Sequence, residues 1–389
     1  MDHETRMPHK MRTLVAQGPG AAEPVTKALS SPIHMSTTYL RDADNGYSGG
    51  RIYGGTDNPS VQQAEALVAT LEGAEDALMF GSGMAAASAV FQALEKPTHI
   101  LASRAMYYGL QSWLAELGPR SGHSVSFVDT SDLDAVRTAL RTGKTGLVWI
   151  ETPSNPMWTL TDIAGVAEIA HAAGALLCVD STVSTPIFTR PLELGADIVV
   201  HSATKYLNGH SDVVAGALAT AGRTAIWESI RRVRARIGAS LGPFDAWLLM
   251  RGMRTLHVRV AAQARTAAIL ADRLIGHPAL SGVLYPGLRS HPGHDVARRQ
   301  MIGGFGGMLS ICVKGGEPAA VAVAAQVQLW KRATSLGGIE SLIEHRASIE
   351  GAGTPCPPNL LRLSVGLEDI DDLFLDLIQA LGPSVPLLG

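Results

Sequence analysis

Two rhythms of apolar and polar positions organise the chain. Between about residues 61 and 250, short apolar runs recur: DALMF (76–80), HILAS (99–103), SVSFVD (124–129), GLVWIE (146–151), ALLCVD (175–180) and DIVVHS (197–202). Each reads as a buried strand. Between them lie stretches of helical period, such as DIAGVAEIAHAAG (162–174). Strand and helix in alternation predict an α/β fold with a parallel sheet covered on both faces. The flanks differ. Residues 1–60 are rich in Gly, Pro, Ser and Thr and carry little periodicity. They predict an extended arm that packs on a partner subunit. From 251 onward a long helical pattern, DAWLLMRGMRTLHVRVAAQARTAAILADRLI, begun at residue 245, leads into a smaller α+β region with the strand FGGMLSICVKGG (305–316). The expected division is therefore an arm over 1–60, a large domain over 61–250 and a C-terminal domain over 251–389.

Composition narrows the class. The 389 residues are 46% hydrophobic and 17% charged, with net charge −3, so neither a basic stripe for nucleic acid nor a polybasic membrane face is expected. Three scattered cysteines suit a reducing compartment better than a disulfide framework. The polar start MDHETRMPHKMR lacks a signal peptide's apolar core, and no apolar run reaches the ~20 residues of a membrane span. A cytoplasmic protein is expected.

Parallel sheets bind ligands at the carboxyl ends of their strands, so polar residues just past those ends are the candidates. Gly81-Ser82-Gly83 follows the first run and precedes a helix beginning near Met84. That turn could present free N–H groups to a phosphate, or be a plain strand–helix turn. ETPSNP (151–156) offers Asn155 as a ligand contact or as part of a proline-bounded turn. Asp180 ends its run and is either a helix cap or a functional carboxylate. In HSATKYLNGHSD (201–212), Ser202 and Thr204 bracket Ala203, and Lys205 follows. An isolated lysine there would snorkel to solvent. One with a depressed pKa would be a Schiff-base nucleophile. A phosphate cradle, a carboxylate and an amine at one sheet edge are together what pyridoxal phosphate requires.

Several motifs then carry a resemblance: ETPSNP, LGADIVVHSATKYLNGHSDVVAGAL, PFDAWLLMRGMRTL, YPGLRSHPGH, FGGMLS, SLGGIESLIEH and LLRLSVGLED. From about Ile52 to Leu381 the chain resembles the Cys/Met-metabolism (trans-sulfuration) family of fold-type-I pyridoxal-phosphate enzymes. The resemblance implies a mainly parallel seven-stranded sheet, an N-terminal arm and a smaller C-terminal domain. It implies pyridoxal 5′-phosphate held by Lys205 as the Schiff-base lysine, with Asp180 on the pyridinium nitrogen. Gly83, Met84, Ser202 and Thr204 would take the phosphate, and Asn155 the ring-hydroxyl side and the substrate. Tyr108 would stack on the ring and act as an acid/base group. Arg362, with Ser335 nearby, would bind the substrate α-carboxylate. Tyr53 would reach a neighbouring subunit's phosphate, in a homotetramer built as a dimer of dimers.

The departures bear on substrate. Gly55 stands where the family's arm motif carries an arginine, and Arg51 is expected to substitute in part; the rival expectation is that Gly55 makes room for a larger substrate. Leu336 replaces a tryptophan of enterobacterial-type β-lyases, which favours γ-carbon chemistry. Thr334 stands where γ-synthases and γ-lyases often carry glutamate, and Leu110 where methionine γ-lyases carry cysteine. The expected activity is γ-elimination or γ-replacement on a sulfur amino acid or homoserine ester. The alternatives are cystathionine β-lyase, methionine γ-lyase, or a lyase for another γ-substituted amino acid. A P-loop around Gly143-Lys144-Thr145 lacks its upstream glycine at Thr138. His201 and His210 lack metal-ligand spacing, so no metal is expected.

Overall fold

The computed structural model describes residues 10–18, 23, 25–95, 97–351 and 355–382. The leading residues 1–9 of the expected arm lie outside that set.

The six apolar runs form strands β1 (Asp76–Phe80), β2 (His99–Ser103), β3 (Ser124–Val128), β4 (Thr145–Glu151), β5 (Leu176–Asp180) and β6 (Ile198–His201). A seventh, β7 (Gly216–Thr220), completes the sheet in the order β1-β7-β6-β5-β4-β2-β3. Strand β7 runs antiparallel to both β1 and β6, and all other pairings are parallel. Apart from the half-exposed edge strand β3, the sheet is buried on both faces, which is why its strands read as continuous apolar runs. The two-residue alternation still sorts the faces. In β4, Leu147 and Trp149 join the cluster containing Phe91, whose ring centroid lies 4.9 Å from that of Trp149. Val148 and Ile150 face the other way, against Val166 and Ala170 of helix Ile163–Ala172.

Local chemistry starts the helices where the sequence signals them. Asn58 accepts from the N–H groups of Ser60 and Val61, with Pro59 opening helix Pro59–Glu72. Ser82 accepts from the N–H of Ala85 at 3.0 Å and so caps helix Gly83–Gln92.

The long pattern from residue 245 is not one helix. It breaks at Arg254-Thr255 into Pro243–Met253 and Leu256–Leu274. Near the break, Gly252 lies so close to the backbone of Asn208 that an added Cβ would stand 2.2 Å from its carbonyl oxygen. Buried Arg259 donates to the carbonyls of Gly252 (2.8 Å) and Tyr206 (3.0 Å), tying the second helix to the turn that carries Lys205.

The smaller region is an antiparallel sheet of β8 (Leu280–Leu284), β9 (Met308–Val313), β11 (Leu342–His345) and β12 (Leu360–Ser364), with β10 (Lys331–Arg332) paired parallel to β11 at one edge. Its core includes Leu309, Ile311, Leu361, Leu363 and Leu377.

The arm is mostly without regular structure from residue 25 to 53, where Thr38 and Tyr53 form an isolated bridge. It is not wholly extended, however. A helix, Met11–Gln17, packs Val15 into the core, and Gly54–Asp57 forms one helical turn. Leu29, Met35, Leu40 and Tyr53 remain exposed.

Candidate active site

The carboxyl ends of β1, β4, β5 and β6 converge on a cavity of about 300 Å³ whose far wall comes from the small sheet. Of the residues expected at the site, Gly83, Met84, Asn155, Asp180, Ser202, Thr204, Lys205, Ser335 and Arg362 all line it. Residues 83 and 362 are thus neighbours across one cavity.

Lys205 sits in the turn after β6. Its Nζ donates to Ser335 Oγ at 2.8 Å. Burial, helped by the guanidinium groups of Arg362 and Arg346, pulls its pKa down to about 8; Glu344 pulls the other way. Asp180, at the end of β5, accepts from the N–H of Thr182 at 3.0 Å, and burial raises its pKa. Thr182 Oγ1 in turn accepts from the N–H of Ser202 at 2.8 Å, which links the Asp180 turn to the Lys205 turn.

Ser202 and Gly83 are pressed together. A Cβ on Gly83 would lie 2.9 Å from Ser202 Cβ and Oγ, so only glycine leaves that space open. By helix geometry the first-turn N–H groups of Gly83 and Met84 have no acceptor within the helix. The Thr204 hydroxyl both donates to the Ala215 carbonyl (3.1 Å) and accepts from the Ala215 N–H (3.0 Å). It braces the turn while lining the cavity.

Arg362, on β12, is buried and faces the same space. Its Nη1 donates to Asn155 Oδ1 at 3.2 Å, and its Nη2 donates to the Ser335 carbonyl at 2.6 Å and to Glu344 Oε2 at 2.5 Å. Ser335 therefore meets the lysine through its hydroxyl and the arginine through its carbonyl.

The tyrosine assignment needs correcting. Tyr107 lines the cavity and Tyr108 does not. The helix Tyr108–Arg120 starts one residue after Tyr107, and the Tyr108 ring lies under Arg346, whose guanidinium carbon is 5.9 Å from the ring centroid. The sequence could not separate two adjacent tyrosines at a strand–helix turn. The arm residues are not brought to this cavity either. Arg51 Nη2 donates to Gln62 Oε1 at 3.3 Å, and Tyr53 is exposed. Neither lines the site of its own chain. Gly55 lies beside the Tyr53 ring, its carbonyl accepting from Ser240 Oγ. Leu110, Thr334 and Leu336 do line the cavity.

Sequence reasoning missed Glu151 and Arg346. Glu151 ends β4 directly beside Asp180 in the strand register. Its Oε2 accepts from the N–H of Tyr107 at 2.7 Å and its Oε1 from the N–H of Asn155 at 2.9 Å. Burial and the neighbouring Asp180 carboxylate raise its pKa. The strand-end rule that selected Asp180 applies equally to Glu151. Arg346, just past β11, carries no such local signal. His201 is used elsewhere: its Nε2 meets Glu72 Oε1 at 2.5 Å in the core.

The donor set fits the cofactor that the resemblance implies: an amine of lowered pKa, a half-buried carboxylate, and a glycine-cleared helix N-terminus. Comparison with known proteins agrees. Residues 12–382 match the family described as Cys/Met metabolism PLP-dependent enzyme. The chain is 43% identical over 366 residues to a cystathionine gamma-synthase of Mycobacterium tuberculosis, covering 92% of this chain and 94% of that protein. It is 41% identical over 380 residues to a cystathionine gamma-lyase of Bacillus subtilis, covering 96% and 99%. The crystal structure of a cystathionine gamma synthase from Xanthomonas oryzae in complex with aminoacrylate and cysteine superposes with a TM-score of 0.91 at 34% identity, covering 96% of this chain and 98% of that one. The chain belongs to the Cys/Met metabolism family of pyridoxal-phosphate-dependent enzymes.

Proposed function

We propose that this enzyme catalyses γ-elimination or γ-replacement on a sulfur amino acid or homoserine ester, as a γ-synthase or γ-lyase. The observation that carries the reading is the Lys205–Ser335–Arg362 cluster, which puts an amine and a carboxylate-binding fork on either side of one serine. The relatives named above are synthases and lyases for cystathionine, and they supply the substrate class.

Pyridoxal phosphate, when bound, supplies the electron sink for bonds to the substrate's Cα. The residues divide the remaining tasks. Lys205 would be the covalent anchor, since its lowered pKa keeps a large share of the amine neutral and nucleophilic near pH 8. Its free amine would take the substrate's Cα proton. Asp180 would hold the pyridine nitrogen protonated, and that positive charge would offset the desolvation that raises the carboxylate's pKa. Gly83, Met84, Ser202 and Thr204 would hold the phosphate. Tyr107 would take the stacking place expected of Tyr108. Arg362, with Asn155 and Ser335, would bind the α-carboxylate through a charge-assisted fork. Leu336 supports γ- over β-carbon chemistry by lining the wall with an aliphatic side chain.

Tyr53 and Arg51 would serve a neighbouring subunit's site in a homotetramer, which accounts for their distance from this one and for the exposed apolar arm. The arm, large domain and C-terminal domain would divide near residues 60 and 250, and the setting would be cytoplasmic.

A substrate panel tests the reading. Cystathionine, O-acetyl- and O-succinylhomoserine, homocysteine and methionine would each be supplied with and without cysteine. The expected products are 2-oxobutanoate or a new thioether. Pyruvate alone would overturn the γ assignment in favour of β-elimination.

A further inference from the structure

The wall opposite Asp180 is a chain of alternating charges. Arg346 Nε and Nη2 donate to Glu350 Oε1 at 3.1 and 2.8 Å. Arg346 Nη1 donates to Glu344 Oε2 at 3.0 Å, and the same oxygen accepts from Arg362 Nη2 at 2.5 Å. All four side chains are buried, at 3–7% exposure. The two guanidinium groups line the cavity and the two carboxylates stand behind them. The wall is thus a charge layer whose positive side faces the ligand.

This order matters for Arg362. A buried carboxylate 2.5 Å from its Nη2 would, alone, cancel much of the positive charge that a substrate carboxylate needs. Arg346 shares that very oxygen and offsets it. Glu350 completes the charge of Arg346 at a point farther along the chain.

Resting on the assignment of Arg362 to the substrate α-carboxylate, we propose that Arg346 is a positioning residue for that site: acting through Glu344, it keeps the Arg362 guanidinium oriented and electrostatically available. Glu344 is then a brace that costs affinity unless Arg346 is present. A purely structural rack would require all its members equally; this arrangement does not.

Calorimetric titration of the cofactor-loaded enzyme with butyrate, a carboxylate without the reactive amine, reads the effect directly. Arg346→Ala should weaken butyrate binding about tenfold, with cofactor content and visible spectrum unchanged. Arg346→Lys, which keeps the charge and loses the fork, should weaken it by roughly half as much on a logarithmic scale, and it carries the comparison if the alanine variant does not fold. Glu344→Gln should bind butyrate at least as tightly as the native enzyme. Arg346→Ala/Glu344→Gln should return to within about threefold of native affinity. Native affinity in both Arg346 variants, or a double variant no tighter than Arg346→Ala, overturns the proposal. Arg362→Ala is the control. If it too binds butyrate as the native enzyme does, the α-carboxylate assignment itself has failed, which is a different result.

Discussion

The two walls of the active site solve the problem of buried charge differently. On the strand-end wall, Glu151 and Asp180 lie side by side and are held by backbone N–H groups, with burial raising both pKa values. That wall is short of a cation, and a protonated pyridine ring would supply one. On the small-sheet wall, charges alternate and are paired within the protein: Glu350, Arg346, Glu344, Arg362. One wall is completed by its cofactor, the other before any ligand arrives. Lys205 lies between them, its pKa lowered by burial and by the guanidinium groups of Arg362 and Arg346, against the pull of Glu344.

The contrast predicts different kinetic symptoms. The largest should come from the junction: Lys205→Ala should lower turnover about a thousandfold or more and abolish the visible absorbance of the lysine-bound cofactor. Next, Asp180→Asn should lower turnover roughly a hundredfold with little change in KM, because it removes charge from the cofactor wall. Arg362→Lys should do the reverse, raising KM about tenfold or more with a smaller change in kcat, since the fork is lost and the charge kept. Steady-state kinetics on one substrate separates the last two. Equal effects on kcat and KM in both variants would erase the distinction between the walls.

The smallest expected effect is a pH dependence. Lys205 has its folded pKa lowered to about 8 against an ordinary value of 10.5. The rate of cofactor uptake by the cofactor-free chain should therefore rise with pH and level off just above 8, instead of climbing past 10. The sign for stability follows from proton uptake. Between those two values the unfolded chain binds more protons at this lysine, so its contribution to stability increases with pH across that window. Stopped-flow absorbance across pH 6–11 checks the rate.

Legibility in the sequence followed range. The six apolar runs were readable because a strand covered on both faces must be apolar throughout, whatever surrounds it. Strand β7 was not singled out, because GALAT is composed of small residues and a single leucine. The helical pattern from residue 245 was readable as helix, but its break falls beside the close approach of Gly252 to Asn208, a contact between segments distant in the chain. Lys205, Asp180 and Gly83 announced themselves as polar or glycine positions at strand ends. Tyr107 against Tyr108 was a choice of direction around one helix start, which adjacent identical residues do not encode. Glu344 lies within the motif SLGGIESLIEH and Arg346 just past it, but as single residues each reads as an ordinary charge. Their meaning comes from Arg362, on a neighbouring strand of the small sheet.

Consecutive residues sufficed for six strands of the large sheet and for Lys205 as the candidate anchor, because strand burial and strand-end chemistry are local demands; the cofactor family followed from separated motifs. Packing between distant segments fixes which tyrosine faces the cavity, sets Glu151 against Asp180, and puts Arg346 behind Arg362 through Glu344. Those are interactions across segments, and a Coulomb energy depends on distances that no spacing along the chain specifies.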